Sequence, residues 1–179
     1  GKLMEEFTSQ IHYVPGFMPK DIAQAISNYS KNHTLLFDEY GNGEKEFTVH
    51  TYHGIEKNDP QLLALMQEWA LNVYNFVVEN YDTDFEEFNP HKTHIAKFLP
   101  GNGMHEHYDS SRPKDIATIL YLNDDYIGGD IYFPKYKISF KPEPGDLLTF
   151  PDNPDFVHGV KAIEDGTRYT TPRWFTRIV

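Results

Sequence analysis

The apolar pattern of the sequence changes period at about residue 93, and this switch restricts the fold more than any other feature. Beyond it stand five short β-like runs: THIAKFL (93–99), IATILYL (116–122), DIYFP (130–134), DLLTF (146–150) and RYTTPRWFTRIV (168–179). The separators are turn formers, namely Pro100-Gly101-Asn102-Gly103, Asn123-Asp124-Asp125, Gly128-Gly129, Pro142-Glu143-Pro144-Gly145 and Asp165-Gly166. Short apolar runs at regular spacing, separated in this way, build antiparallel sandwiches or barrels. The aromatic residues, 13 Phe, 12 Tyr and 2 Trp, favour strands and supply the large apolar area such a core needs.

Before residue 93 the spacing is mostly helical. Pro19, Asp21, Ile22, Ala25, Ile26 and Tyr29 predict a helix over about 19–31, with the proline and the acid at its start. A longer helix is expected from Pro60 to near Asn80, capped by Asp59, with Leu62, Leu63, Leu65, Met66, Trp69, Val73, Phe76 and Val77 as a broad apolar stripe. The polar stretch 38–58 between them reads as turns at Gly41 and Gly43 and a strand over Glu46 to Tyr52, flanked by mobile loops. The acidic run Asp82 to Glu87 reads as a solvated linker. The expected fold is α+β and β-rich, a single domain over 1–179. In it 1–90 is mainly helical support, with 38–58 as a candidate lid, and 91–179 is the β core.

Two features of composition exclude function classes. Cysteine is absent, which removes disulfide scaffolds, zinc–thiolate fingers, iron–sulfur clusters and cysteine nucleophiles. The net charge is −11, from 16 Lys+Arg against 27 Asp+Glu, so neither nucleic acid nor an anionic membrane is an expected partner. No apolar stretch approaches the ~20 residues that span a bilayer, and residues 1–10 lack the apolar core of a signal peptide. The expectation is a soluble, cytoplasmic chain.

The chemistry centres on His107-Tyr108-Asp109. Residues i and i+2 of a strand point to one face, so this imidazole and carboxylate can reach one point. His158 follows in the FVHGV block. Two His and one carboxylate on one face of a metal form the triad of non-haem Fe(II) oxygenases, leaving positions open for a bidentate 2-oxo acid and O2. Arg168 lies beyond a turn at Glu164-Asp165-Gly166, where its planar fork can grip a carboxylate, with Tyr121 as a second donor. His105 shares the alternation of His107 and Asp109 and is a candidate pocket-lining residue. As a ligand of a His-x-His metal site it would want a following Glu, and Ser110, Ser111 and Arg112 stand there instead. His50 and His53 are candidate substrate contacts should 38–58 fold over the metal; as surface histidines they need no such role.

The ordered blocks GNGMHEHYD, ATILYLND, GGDIYFP, KPEPGDLLTFP, FVHGV and GTRY-x4-W resemble the 2-oxoglutarate/Fe(II) oxygenases, in particular the prolyl 4-hydroxylase subgroup. The likeness covers about 93–175. It implies a double-stranded β-helix, a jelly-roll or cupin-like barrel, with N-terminal supporting helices and iron near one open end. By position it makes His107, Asp109 and His158 the iron ligands, Arg168 the anchor of the distal carboxylate of 2-oxoglutarate with Tyr121 assisting, and Trp174 a substrate-side aromatic. It implies Fe(II), 2-oxoglutarate and O2, with ascorbate as an accessory, and hydroxylation of an unactivated C–H bond with succinate and CO2 as coproducts. Prolyl residues in a peptide or protein are the implied substrate. Lysyl or free amino-acid hydroxylation on the same scaffold, and an iron- or 2-oxoglutarate-sensing module without turnover, are the alternatives. One departure stands out: Pro172-Arg173 fall inside the final run, predicting an interrupted strand with the proline at an edge or bulge.

Overall fold

The computed structural model describes residues 2–41, 44, 48–109 and 115–178. The helices are α1 (Lys2–Thr8), α2 (Lys20–Lys31), α3 (Ile55–Asn58) and α4 (Pro60–Asn80). The N-terminal half also holds β1 (His12–Val14), β2 (Asp38–Tyr40), β3 (Val49–Tyr52) and β4 (Asp84–Phe85). The remaining strands are β5 (Ile95–Phe98), β6 (Met104–His107), β7 (Asp115–Tyr121), β8 (Tyr126–Gly128), β9 (Ile131–Phe133), β10 (Ile138–Phe140), β11 (Leu147–Pro151), β12 (His158–Val160), β13 (Ile163–Gly166) and β14 (Arg168–Ile178).

A large sheet runs β1-β11-β7-β14-β5-β3-β2, with β4 added to β14. A smaller sheet, β10-β9-β12-β6, faces it, and β13 pairs with β8. All ladders are antiparallel. This is the double-stranded β-helix, with helices on the outer face of the large sheet.

Strand parity explains why 116–122 is apolar at every position but Thr118, whose hydroxyl donates to the Arg173 carbonyl at 2.8 Å. Ile116, Leu120 and Leu122 join the cluster beneath the helices, with Ala23, Ile26, Met66, Val73 and Val77. Ala117 and Tyr121 point the other way, into a second core with Phe98, Phe133, Phe150 and Phe156 between the sheets. A strand covered on both faces cannot alternate with polar residues.

Several expectations need correction. Asp59 does not cap α4 through its side chain. Its carboxylate instead accepts hydrogen bonds from the Tyr29 and Tyr52 hydroxyls, which ties α2 and β3 to the start of α4. Pro172 does not interrupt the last strand, since β14 runs unbroken from Arg168 to Ile178. The proline lies opposite Ile119 of β7, beyond the point where β5 ends its pairing at Thr170. A residue that cannot donate to a ladder is tolerated at such a locally one-sided stretch. The helical N-terminal half contributes strands as well, and the described ends of the candidate lid, β2 and β3, are hydrogen-bonded to the sheet through β5. Gly43, the Glu46–Phe47 start of the predicted strand, and Ser110, Ser111 and Arg112 lie outside the described residues. Among the described residues, no helix is long and apolar enough to cross a membrane.

Candidate metal centre

In the small sheet His107 of β6 is directly opposite His158 of β12. The register thus sets two imidazoles side by side, their centroids 4.6 Å apart. Asp109 follows just past the end of β6, with Oδ1 2.7 Å from His107 Nε2 and Oδ2 3.7 Å from His158 Nε2. One potential ligand atom from each of the three lies within 4.8 Å of the others.

The far side of each ring explains its tautomer. His158 Nδ1 lies 2.9 Å from the Phe156 carbonyl, and His107 Nδ1 lies against the His105 carbonyl. A carbonyl accepts only, so each Nδ1 carries a proton and each Nε2 is the atom left facing the site; in the metal-free protein His107 Nε2 donates to Asp109 Oδ1, and toward a metal it would offer its lone pair instead. This is the arrangement metal-binding histidines use. Burial alone would lower the His107 pKa, but the Asp109 carboxylate and the His105 carbonyl outweigh it, and the net shift is upward. Burial would raise Asp109, but its hydrogen bonds to His107 and His158 hold it well below the usual carboxylate range. His158 is only 4% exposed and packs against Phe150 and Phe133.

The triad borders a cavity between the two sheets that opens to solvent. Its walls are mostly apolar, with Ala96, Phe98, Ile119, Ile131 and Val160 among them. Arg168, also lining it, is 3% exposed. Its guanidinium lies between two rings, 4.8 Å from the Phe98 centroid and 5.1 Å from that of Tyr121. Nη2 donates to the Tyr121 hydroxyl at 3.2 Å, while the buried Nε has no hydrogen-bond partner. Burial pushes Tyr121 up to about 12, so it remains a hydroxyl. The buried Tyr126 hydroxyl also lacks a partner. Arg168 makes no ion pair with any described residue, and a buried guanidinium without an anion is costly. A planar carboxylate supplied from outside would complete it, so donor set and anchor both fit a metal with a dicarboxylic ligand. Asn123, the last residue of the YLN run, fixes the backbone around Arg168: it accepts from the Tyr169 N–H at 2.8 Å and donates to the Thr167 carbonyl at 2.7 Å.

The other predicted residues divide. Trp174 lines the cavity, 40% exposed, and its indole N–H donates to Asp152 at 3.2 Å. His105 does not share the face of His107. The register of β6 and β12 shifts between His158 and Val160, so that Met104 and His107 both face the cavity and strict alternation fails. His105 borders a separate hollow with Tyr132 and Lys161. His50 is also turned away: Val49 and Thr51 line the cavity, and on a strand the residue between them points to the opposite face. His53 stacks on His94, rings 4.5 Å apart, and His94 lines the cavity.

His94 and Asp152 escaped the sequence reading. His94 immediately precedes β5, and its cavity parity with Ala96 and Phe98 could have been read once Phe98 was placed against Arg168. Burial first, then the neighbouring His53 and Arg173, pushes its pKa down to about 4, so it is uncharged near neutrality. Asp152 follows β11 and is fully buried. Its carboxylate accepts the Asp109 backbone N–H at 3.0 Å as well as the Trp174 indole. Burial and the nearby Asp109 charge raise its pKa. An acid inside a turn segment gives no local signal for such a role.

A family model described as the 2OG-Fe(II) oxygenase superfamily matches residues 93–176. Human prolyl 3-hydroxylase 2 is 35% identical over 68 residues, which are 35% of this chain and 10% of that protein. A putative prolyl 4-hydroxylase of Acanthamoeba polyphaga mimivirus is 22% identical over 143 residues, 68% of this chain and 55% of the relative. The chain thus spans about a tenth of the first relative's length and about half of the second's. A prolyl hydroxylase from Trichoplax adhaerens, solved with a hypoxia-inducible factor peptide fragment, superposes with a TM-score of 0.73 at 14% identity, covering 98% of this chain and 90% of that one.

Proposed function

We propose, from the membership of residues 93–176 in the 2OG-Fe(II) oxygenase superfamily, that this chain is an Fe(II)- and 2-oxoglutarate-dependent dioxygenase acting on prolyl residues of a peptide or protein. The observation that carries the reading is the convergence of His107, Asp109 and His158 on one cavity that also holds a buried arginine with no anion among the described residues. When bound, Fe(II) with 2-oxoglutarate and O2 supplies the oxidising power to hydroxylate an unactivated C–H bond, giving succinate and CO2 as coproducts.

The protein's own residues bind, orient and exclude water. His107 and His158 present Nε2, and Asp109 presents its carboxylate, to one metal. Arg168 grips the distal carboxylate of 2-oxoglutarate through its planar fork, and Tyr121 holds that fork in place. The apolar walls keep water from the reacting centre. Trp174 and His94 flank the substrate. No protein acid or base is required. All of 1–179 serves as one catalytic domain, with α2 and α4 supporting the sheet that carries Arg168 and Trp174.

The walls favour an uncharged substrate group. Among the described cavity residues Asp109 is the one carboxylate, and it is committed to the metal. A lysyl ammonium would enter with no counter-charge, whereas a proline ring meets alanine, isoleucine, valine and indole surface. The names of the two sequence relatives, prolyl 3-hydroxylase 2 and a putative prolyl 4-hydroxylase, point the same way.

Anaerobic addition of Fe(II) and 2-oxoglutarate is expected to produce a visible charge-transfer band that His107→Ala and Arg168→Ala each abolish or strongly weaken. An unchanged band in both variants would reject the site. Succinate release in air, with and without ascorbate, screened against proline peptides, lysine peptides and free amino acids and read by mass gain, decides the substrate. Oxygen added only to lysine or to a free amino acid would reject the prolyl assignment. Succinate formation under no condition would leave only a sensing module.

A further inference from the structure

Asp109 lies beyond the last ladder pair of β6, which ends at His107, so no sheet hydrogen bond fixes it. Its backbone N–H is held instead by Asp152 Oδ1 at 3.0 Å. The other oxygen of that carboxylate, Oδ2, accepts the Trp174 indole N–H at 3.2 Å. Asp152 is itself pinned, because its own N–H donates to the Asp115 carbonyl at 2.9 Å. It is 0% exposed and makes no ion pair with any described residue.

A fully buried carboxylate with only neutral donors among the described residues is an expensive feature, retained where both of its oxygens have fixed work. Here one oxygen serves the loop that carries a candidate ligand. The other serves a ring that belongs to the opposite sheet and lines the cavity. We infer that Asp152 is a positioning residue that couples the carboxylate of Asp109 to the cavity wall at Trp174. The inference rests on the metal reading of His107, Asp109 and His158.

Coupling of this kind is reciprocal: what fixes Asp109 must be felt at Trp174, and a change at Trp174 must be felt by the metal. Residues that hold a ligand in place commonly alter metal affinity by about 10–100-fold when replaced. Asp152→Asn keeps shape and one acceptor but turns an NH2 group toward one of the two N–H donors. Trp174→Phe removes the indole donor at a partly exposed position, where refolding problems are least expected.

The experiment is a Zn(II) titration of the metal-free protein in anaerobic buffer, read by calorimetry and by the indole N–H signals in a ¹⁵N–¹H spectrum. The chain has two tryptophans, so Trp174→Phe assigns its signal by loss. In the unmutated protein Zn(II) should shift the Trp174 indole signal in step with binding. Asp152→Asn should bind Zn(II) about tenfold more weakly and lose that response, and Trp174→Phe should weaken binding a few-fold. Should Asp152→Asn fail to fold, the Trp174→Phe affinity and the indole response of the unmutated protein still decide. Zn(II) affinity within twofold of the unmutated value in both variants would overturn the coupling, as would an indole signal that ignores bound Zn(II). His107→Ala separates the two failures. If it abolishes binding while the other variants bind normally, the coupling alone falls; if it changes nothing, the metal reading falls and the coupling with it.

Discussion

The guanidinium carbon of Arg168 stands 4.8 Å over the centre of the Phe98 ring, and the two residues are opposite each other in the β14–β5 ladder. Pairing and stacking together hold the fork in one orientation before any ligand arrives. The cost is a buried positive charge whose Nε is unsatisfied.

A sign reversal follows. Arg168→Met removes an unpaired buried charge and keeps volume, so the metal-free, ligand-free protein should melt at the same temperature or higher. The same variant should lose the stabilisation that 2-oxoglutarate gives the unmutated protein, about 3 kcal/mol at a hundredfold excess over Kd. Calorimetric melting with and without 2-oxoglutarate and Zn(II) reads both. A strongly destabilised variant that still responds to 2-oxoglutarate would contradict the anchor.

Metal affinity should fall on mild acidification, beginning above the ordinary histidine value of about 6.5, because the His107 pKa is raised and its Nε2 must lose a proton to bind. In the metal-free state the same pair works the other way. The raised His107 contributes stability that is present below about pH 6.5 and lost as pH rises through its folded value. The lowered Asp109 contributes stability present above about pH 4 and lost on further acidification. Metal-free protein should therefore gain from the pair between about pH 4 and 6.5, the range in which metal is losing its hold. Zn(II) calorimetry from pH 8 to 5.5, set beside metal-free melting over the same range, tests both slopes.

Much of this was legible in the chain because the informative runs are long or closely spaced. The 116–122 run is apolar at every position but Thr118 and so reads as a strand, and Pro60 with its following stripe marks α4. What escaped depends on partners distant in sequence. β1 and β2 are three-residue strands that exist through their ladders with β11 and β3, and nothing in HYV or DEY announces them. His105 was misassigned because alternation presumes an even register, and the shift between β6 and β12 is set by both strands. Asp59 was read locally as a cap, whereas Tyr29 and Tyr52 claim its carboxylate from other elements.

That shared carboxylate makes a testable clamp. Tyr29→Phe and Tyr52→Phe should each destabilise by about 1.5–3 kcal/mol, the usual cost of a lost hydrogen bond to a charged group. Because both hydroxyls meet on Asp59, the double variant should depart from the sum of the singles. Urea titrations of the three variants measure this, and strict additivity would argue that the two bonds act independently. Metal affinity should be unaffected in all three.

His94 gives the last test, since its two roles separate by pH. Its folded pKa of about 4 lies below the unfolded value of about 6.5, so protons bind the unfolded chain first. Stability should then decline as pH drops from about 6.5 toward 4, by about 3 kcal/mol in total from this residue. His94→Leu cannot take up a proton in either state and should flatten that part of the acid slope. Near neutrality His94 is an uncharged imidazole with no hydrogen bond to a described residue, stacked on His53 and facing the cavity beside β14. A neutral polar edge there suits a peptide amide, which could both donate to it and accept from it. His94→Leu should accordingly raise KM for a productive proline peptide several-fold, with little change in kcat or in 2-oxoglutarate binding. Urea titrations at pH 7 and 5 read the first role and steady-state kinetics the second. A unchanged acid slope would deny the buried imidazole, and an unchanged KM would place the substrate elsewhere in the cavity.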